Sequence, residues 1–247
     1  VDLDNRFVRV PVREQYAGFY TRIESAFDGI IGMLDAKERG MVKAQQTIAL
    51  RRIMELSKAE DALTLAREMA RQGRQAAIFF GFKGELKAPD FKKIPVVNRT
   101  LAPIYAELND LGDLTIQRMV DALGGESEVA QVHGGRTTKQ RTADIDAYND
   151  GVKPYLVATV ASGGTGLSLH DTVGDKPRSQ INVYLPWNGQ DFQQVAGRSY
   201  RAGGKSDVKQ MWLFADTRKE TQVARAVSGK LASMGALVSG VDADPSA

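Results

Sequence analysis

In the stretch QQVAGRSYRAGGKS, residues 193–206, Gln194, Arg198 and Arg201 stand at i, i+4 and i+7. A helix over Gln190–Arg201 presents all three on one face, and Gly197 beside them allows close approach. Two guanidiniums projecting together suit a polyphosphate, whose oxygens accept several charge-assisted hydrogen bonds. Surface ion pairing is the plainer use of such arginines. Gly204, Lys205 and Ser206 have the letters that end a phosphate-binding loop, but the glycine required five positions earlier is Ser199, and the preceding segment reads as helix. No Asp-Glu or Asp-Asp dipeptide occurs, so the acidic magnesium motif that accompanies such a loop is absent too.

Other chemistry-bearing residues follow apolar runs. Ser162, Gly163, Gly164, Thr165 and Gly166 form a glycine-rich turn whose exposed amides suit a phosphate. Steric need at a strand-to-helix turn explains the glycines equally well. A dinucleotide fingerprint fails there, because its sixth position is Leu169. His133, Gly134, Gly135 and Arg136 end a strand beside a helix start, a place suited to a phosphodiester, although His133 also reads as a packed strand-end side chain. Asp171 reads as a partner for an arginine or a ribose, or as a cap. Lys83 and Lys87 are candidate phosphate contacts in a loop, and Trp187 reads as core. Two histidines, no cysteines and no H-E-x-x-H leave no basis for a metal site.

These residues need a scaffold of strands. QAAIFFGF, SEVAQVHGG, PYLVATV and SQINVYLPW are short, largely apolar runs leading into glycine or proline, and VKQMWLFA is a fifth such run without that stop, the pattern of strands in a buried parallel sheet. Helical patterns alternate with them: Tyr105–Leu123, a segment from Thr137 with the Thr137/Gln140 spacing of a capping box, Gln190–Arg201 with Asn188 as its cap, and Thr217–Met234. That rhythm implies a parallel sheet covered by helices on both faces. Residues 83–103 read as loop or insertion. Residues 1–70 read as a mostly helical extension, with one or two amphipathic helices from Val42 to Arg71 stopped by Gly73.

The bulk composition constrains function only broadly. The chain has 247 residues, 43% hydrophobic and 26% charged, with a net charge of +3 that permits an acidic partner such as nucleic acid without requiring one. The longest apolar run, Ala76–Phe82, is far short of the roughly 20 residues that span a bilayer. A cytoplasmic location, or a nuclear one in a eukaryote, is expected, and the start at Val1 suggests a piece of a longer protein.

Gln194, Gly197, Arg198, Arg201 and Gly203 reproduce the Q-x-x-G-R-x-x-R-x-G signature of the sixth motif of superfamily 2 helicases and translocases. VATVASGGTGLSLHD resembles their fifth motif, VHGGRTTKQRTADIDAYNDG the segment before it, and AAIFFGF the fourth, all in family order. More particularly, INVYLPWNGQDFQQVAGRSYRAGG and KLASMGALVSG resemble the strawberry notch type, a relative of Swi/Snf translocases. Tyr200 stands where histidine is common, and AGGKS replaces the usual asparagine or glutamine after the second arginine. The resemblance covers residues 44–240. It implies a C-terminal RecA-like lobe over residues 71–240, with 1–70 bridging to a first lobe outside this chain and 241–247 a tail.

The same resemblance implies ATP lying between the lobes, with Mg²⁺ held by the first. Arg201 would be the arginine finger and Arg198 its neighbour. Gln194, Gly197, Gly166, Leu167, Ser168 and Asp171 would face nucleotide. Ser162, Gly163, Gly164, Thr165, His133, Gly134, Gly135, Arg136 and Lys83 would contact DNA or, alternatively, RNA. A non-catalytic RecA-like binding or scaffold module is the second reading, and a free-standing nucleotide-binding α/β protein the third.

Overall fold

The apolar runs become strands in a computed structural model that describes residues 2–82, 95–110, 116–162, 167–186 and 189–233. Lys83, Lys87, Gly163, Gly164, Thr165, Gly166, Trp187, Asn188 and the 241–247 tail lie outside those residues. Among the described residues, β1 (Leu3–Val10), β2 (Gln75–Phe80), β3 (Val129–Val132), β4 (Tyr155–Thr159), β5 (Arg178–Asn182) and β6 (Val208–Ala215) form one sheet. Its order is β1-β6-β5-β2-β4-β3, and every neighbouring pair is parallel. All carboxyl ends therefore lie along one edge. The connection after β2 leads toward β3 and that after β5 toward β6, so the crevice between them opens at a topological switch point, where α/β sheets bind ligands.

Burial explains the order. β2 occupies the middle, and all six of its residues, QAAIFF, are buried; Phe79 and Phe80 each contribute about 2–3 kcal/mol by leaving water. The helices among the described residues are α1 (Glu14–Ile31), α2 (Ala36–Arg71), α3 (Pro95–Asp110), α4 (Ile116–Ala122), α5 (Thr138–Asn149), α6 (Gly189–Ala196) and α7 (Arg218–Ser233). The capping box holds: the Gln140 amide N–H donates to Thr137 Oγ1 at 3.3 Å, and the Thr137 N–H donates to Gln140 Oε1 at 2.9 Å. Gly151, at φ +79°, ends α5 in a conformation that side chains disfavour. Among the described residues no helix is long and apolar enough to cross a membrane.

The structure differs from the sequence expectation at three places. Residues 1–70 are mostly helical, as expected, but they also supply β1, which pairs along its full length with β6, from Leu3 beside Val208 to Val10 beside Ala215. The loop expected over residues 83–103 gives way to helix from Pro95, since proline at the first helical position forfeits no intrahelical hydrogen bond. Of the helix expected over Tyr105–Leu123, residues 105–110 belong to α3 and 116–122 to α4, and residues 111–115 lie outside the described residues. The helix expected through Arg201 stops at Ala196.

The chain divides into two compact units. The smaller comprises residues 12–57 and 84–115, and there α1 packs on α3 with Phe19, Ile23, Phe27 and Leu101 buried. The larger comprises residues 1–11, 58–83 and 116–247 and contains the sheet. Within it the fully buried Lys58 donates from Nζ to the Glu220 carboxylate, at 2.9 and 3.0 Å, and to the Leu213 carbonyl at 3.2 Å. A second cationic anchor is Arg178, 1% exposed, whose guanidinium lies over the Tyr148 ring at 4.9 Å and donates to the Tyr148 and Asn149 carbonyls at the end of α5. Cations are favoured at that end of a helix dipole.

Candidate nucleotide and nucleic-acid site

α6 is fixed to the sheet by stacked aromatics. Phe192 lies 3.9 Å, centroid to centroid, from Trp212 of β6, and Phe7 of β1 completes the stack. Gly197 follows; a Cβ there would sit 3.1 Å from the Gln193 carbonyl, tighter than most contacts, so glycine lets the chain turn immediately. The two arginines thus rise from the turn after the helix, and Gln194, exposed on α6, does not share a helical face with them. Gly203, at φ +92°, closes the turn in a conformation open to glycine.

Arg198 folds inward and is only 6% exposed. Its guanidinium lies 5.0 Å from the Phe79 ring centroid, and Nη2 donates to the Val160 carbonyl at 2.9 Å. It therefore rests at the carboxyl ends of β2 and β4, while its buried Nη1 has no hydrogen-bond partner among the described residues. Arg201 is exposed; Nε donates to the Gly197 carbonyl at 2.7 Å and Nη2 to the Leu167 carbonyl at 3.4 Å. Burial first, and the neighbouring Arg201 charge second, pull the Arg198 pKa down to about 10, so it stays cationic at neutral pH. Among the described residues neither guanidinium has a carboxylate partner. Two adjacent cations, one with an orphaned buried donor, are suited to a multiply charged anion.

The segment after β4 frames these arginines. Leu167 is buried in the core and presents its carbonyl to Arg201; Ser168 Oγ is 2.7 Å from His170 Nδ1, and Leu169 N–H donates to the Arg198 carbonyl at 2.8 Å. Asp171 is 3% exposed and acts within its own loop: Oδ1 accepts from Val173 and Gly174 N–H at 2.9 and 3.0 Å, and Oδ2 accepts from Lys176 N–H at 2.9 Å. These partners brace the loop over residues 171–176, where no helix begins. Burial pushes its carboxyl up, but the Gly174, Lys176 and Val173 amides and the Ser206 hydroxyl outweigh that and hold the pKa near 2.

A depressed carboxylate stabilises the fold fully above its unfolded pKa of about 4 and loses that contribution as pH falls toward its folded value. Asp171→Asn should lower the melting temperature at pH 7. The parent's extra stability over that variant should then shrink between about pH 4 and about pH 2. A difference that stays constant with pH in thermal melts would contradict this.

On the other side of the sheet, Gly135 N–H donates to His133 Nδ1 at 3.1 Å, so Nε2 carries the proton toward Gln131 Oε1, also at 3.1 Å. Arg136 bridges Glu126 and Asp144, each at 3.2 Å, and Lys153 pairs with Asp144 at 2.6 Å. Its guanidinium is thus already engaged by carboxylates. A Cβ on Gly134 would lie 3.8 Å from Ser162 Oγ, so the turns after β3 and β4 meet at the sheet's carboxyl edge. Sequence reasoning missed Phe79 and Val160, which support Arg198. It also missed the buried amides Gln180 and Gln210; their signal was polarity inside strands of a kind that are ordinarily apolar.

Residues 57–203 match the helicase conserved C-terminal domain. The chain belongs to that family. Within this helicase family the domain is a C-terminal RecA-like lobe of the superfamily 2 type. It is 27% identical over 150 residues to protein strawberry notch of Drosophila melanogaster, covering 51% of this chain and 9% of that protein. It is 32% identical over 106 residues to the ATP-dependent RNA helicase glh-3 of Caenorhabditis elegans, covering 40% of this chain and 14% of that one. The fold also matches the SWI2/SNF2 ATPase C-terminal domain of Sulfolobus solfataricus, at a TM-score of 0.55 and 16% identity, over 98% of this chain and 92% of that chain. This helicase domain spans between 9% and 20% of the length of the curated relatives it matches.

Proposed function

We propose that this chain is the second motor lobe of an ATP-dependent DNA helicase or translocase, whose arginines act on ATP held by a first RecA-like lobe. The observation that carries this reading is the pairing of Arg198 and Arg201, without a carboxylate, at the carboxyl edge of the parallel sheet, with Arg198 Nη1 buried and unpartnered. Such donors fit phosphate oxygens. Arg201 acts as the finger that stabilises charge on the transferring phosphoryl group. Arg198, clamped on Phe79 and Val160, neutralises the neighbouring oxygens. Mg²⁺, bound by the first lobe, supplies further charge neutralisation. The backbone turns at His133–Arg136 and Ser162 form the proposed nucleic-acid edge.

The reading is tested by ATP turnover. The isolated 247-residue chain should show none above background, whereas the complete protein should hydrolyse ATP faster when DNA is added. Turnover by the isolated chain, free of contaminating ATPase, would count against the shared site. Stimulation by RNA but not DNA would replace the proposed track.

A further inference from the structure

The sheet face bearing the Arg198 support carries an unusual row of amides. In a parallel sheet covered on both faces, central strands ordinarily carry valine, isoleucine and leucine. Here Gln180 and Asn182 of β5 and Gln210 of β6 are all 0% exposed. The register places Ala77, Gln180, Gln210 and Asn5 in one row across the sheet, and Phe79, Asn182, Trp212 and Phe7 in the next. Residues opposite or two apart share a face, so the amides lie beside the ring that carries Arg198.

Both glutamines reach the end of α6, whereas Asn182 Nδ2 donates to the Met211 carbonyl at 3.3 Å. Gln180 Nε2 donates to the Val195 carbonyl at 3.0 Å and to Asn182 Oδ1 at 2.9 Å, while Gln210 Nε2 donates to the Ala196 carbonyl at 2.6 Å. Helix-end carbonyls without intrahelical partners are satisfied here from the sheet. The Val195 carbonyl can only accept, which fixes the nitrogen side of the Gln180 amide. Its oxygen is then left to accept from Ser199 Oγ, at 2.7 Å. Ser199, 1% exposed, stands between Arg198 and Arg201 in the chain.

We infer that Gln180, with Gln210 and Ser199, is a positioning device that stops α6 at Ala196 and fixes the turn from which both arginines project. The inference rests on the proposed role of those arginines. A buried amide pair costs more to desolvate than two leucines would; Gln210 Oε1 has no partner among the described residues, and the hydrogen bonds that offset the cost run to the last carbonyls of α6, to Ser199 in the arginine turn and to Asn182. Neither Gln180 nor Ser199 touches nucleotide in this scheme. They act through the placement of Arg198 and Arg201, so their loss acts on the chemical step more than on ATP binding.

The test uses the complete protein and ATPase kinetics with thermal melts. Ser199→Ala should lower kcat about tenfold, the scale of one lost hydrogen bond in the transition state, and leave KM for ATP within about twofold. Gln180→Leu should lower kcat at least as far, and the double variant no further than Gln180→Leu alone, because the two residues share one hydrogen bond. Val129→Ala, a core truncation on β3, is the control for destabilisation and should keep its kcat. If Ser199→Ala retains kcat within about twofold while Arg201→Ala abolishes turnover, the positioning role is overturned and the arginine reading stands. Equal loss of kcat in Val129→Ala also overturns it, because destabilisation then explains the effect. Retained turnover in Arg201→Ala overturns both.

Discussion

Arg201→Ala in the complete protein is expected to lower the rate of ATP hydrolysis by about 10³- to 10⁵-fold, the range over which an arginine finger acts. The effect should fall on kcat, because the guanidinium meets charge that develops only as the phosphoryl group transfers, and KM for ATP should move by a few fold at most. Arg201→Lys should recover little of the loss. An ammonium keeps the charge but not the planar fork that here divides its donors between the Gly197 and Leu167 carbonyls. Folding should be preserved, since Arg201 is exposed and its hydrogen bonds are to backbone of its own surroundings. A variant that keeps its turnover within about tenfold would remove the motor reading and favour a scaffold module.

The largest expected loss of stability lies elsewhere. Lys58→Met should destabilise the sheet-bearing unit by about 3–5 kcal/mol, because it leaves the Glu220 carboxylate, with a side chain only 12% exposed, without its cation. At this chain length that corresponds to a fall in melting temperature of roughly 10 °C. Glu220 also accepts from the Ala215 N–H at the end of β6, and its own N–H donates to Thr217 Oγ1 at the start of α7. The double variant Lys58→Met/Glu220→Leu should therefore recover only part of the loss: it removes the buried charge but strands the Ala215 amide. Denaturant unfolding of the purified chain measures both, and a Lys58→Met variant as stable as the parent would contradict the assignment of a tight buried pair.

Five of the strands, the capping box at Thr137 and the arginine cluster were legible in the sequence because each is a local signal. The strands are compact, mostly apolar runs, four of them with glycine or proline soon after, and a capping box lies within four residues. β1 was not legible. Its sequence, LDNRFVRV, carries Asp, Asn and two arginines, and its pairing partner β6 lies about 200 residues further along the chain. Trp212 donates from Nε1 to Asn5 at 2.7 Å, so even the polar residue that argued against a strand is used by the sheet.

The site was legible in residue type more than in geometry. Spacing at i, i+4 and i+7 predicted a continuous helical stripe, whereas Gly197 and the amides of Gln180 and Gln210 end the helix early. Arg198 consequently points into the protein, where Phe79 supplies a face that no pattern around residue 198 foretells. Asp171 had three readings from sequence, and its two oxygens are taken up by amides of its own loop, a contact none of those readings described.

The polar centre of β5 also bears on how the chain avoids misassembly. Parallel sheets close distant contacts slowly and leave strands exposed while they form. A segment reading Arg-Ser-Gln-Ile-Asn gains little by stacking on copies of itself, unlike the neighbouring run AAIFF, and so interrupts the sticky surface at the middle of the sheet. It also penalises slippage. A shift by one residue would turn Gln180 to the opposite face, leaving the Ser199 hydroxyl without its acceptor and the Val195 carbonyl with only the Arg198 N–H at 3.3 Å, so the native alignment satisfies these groups best.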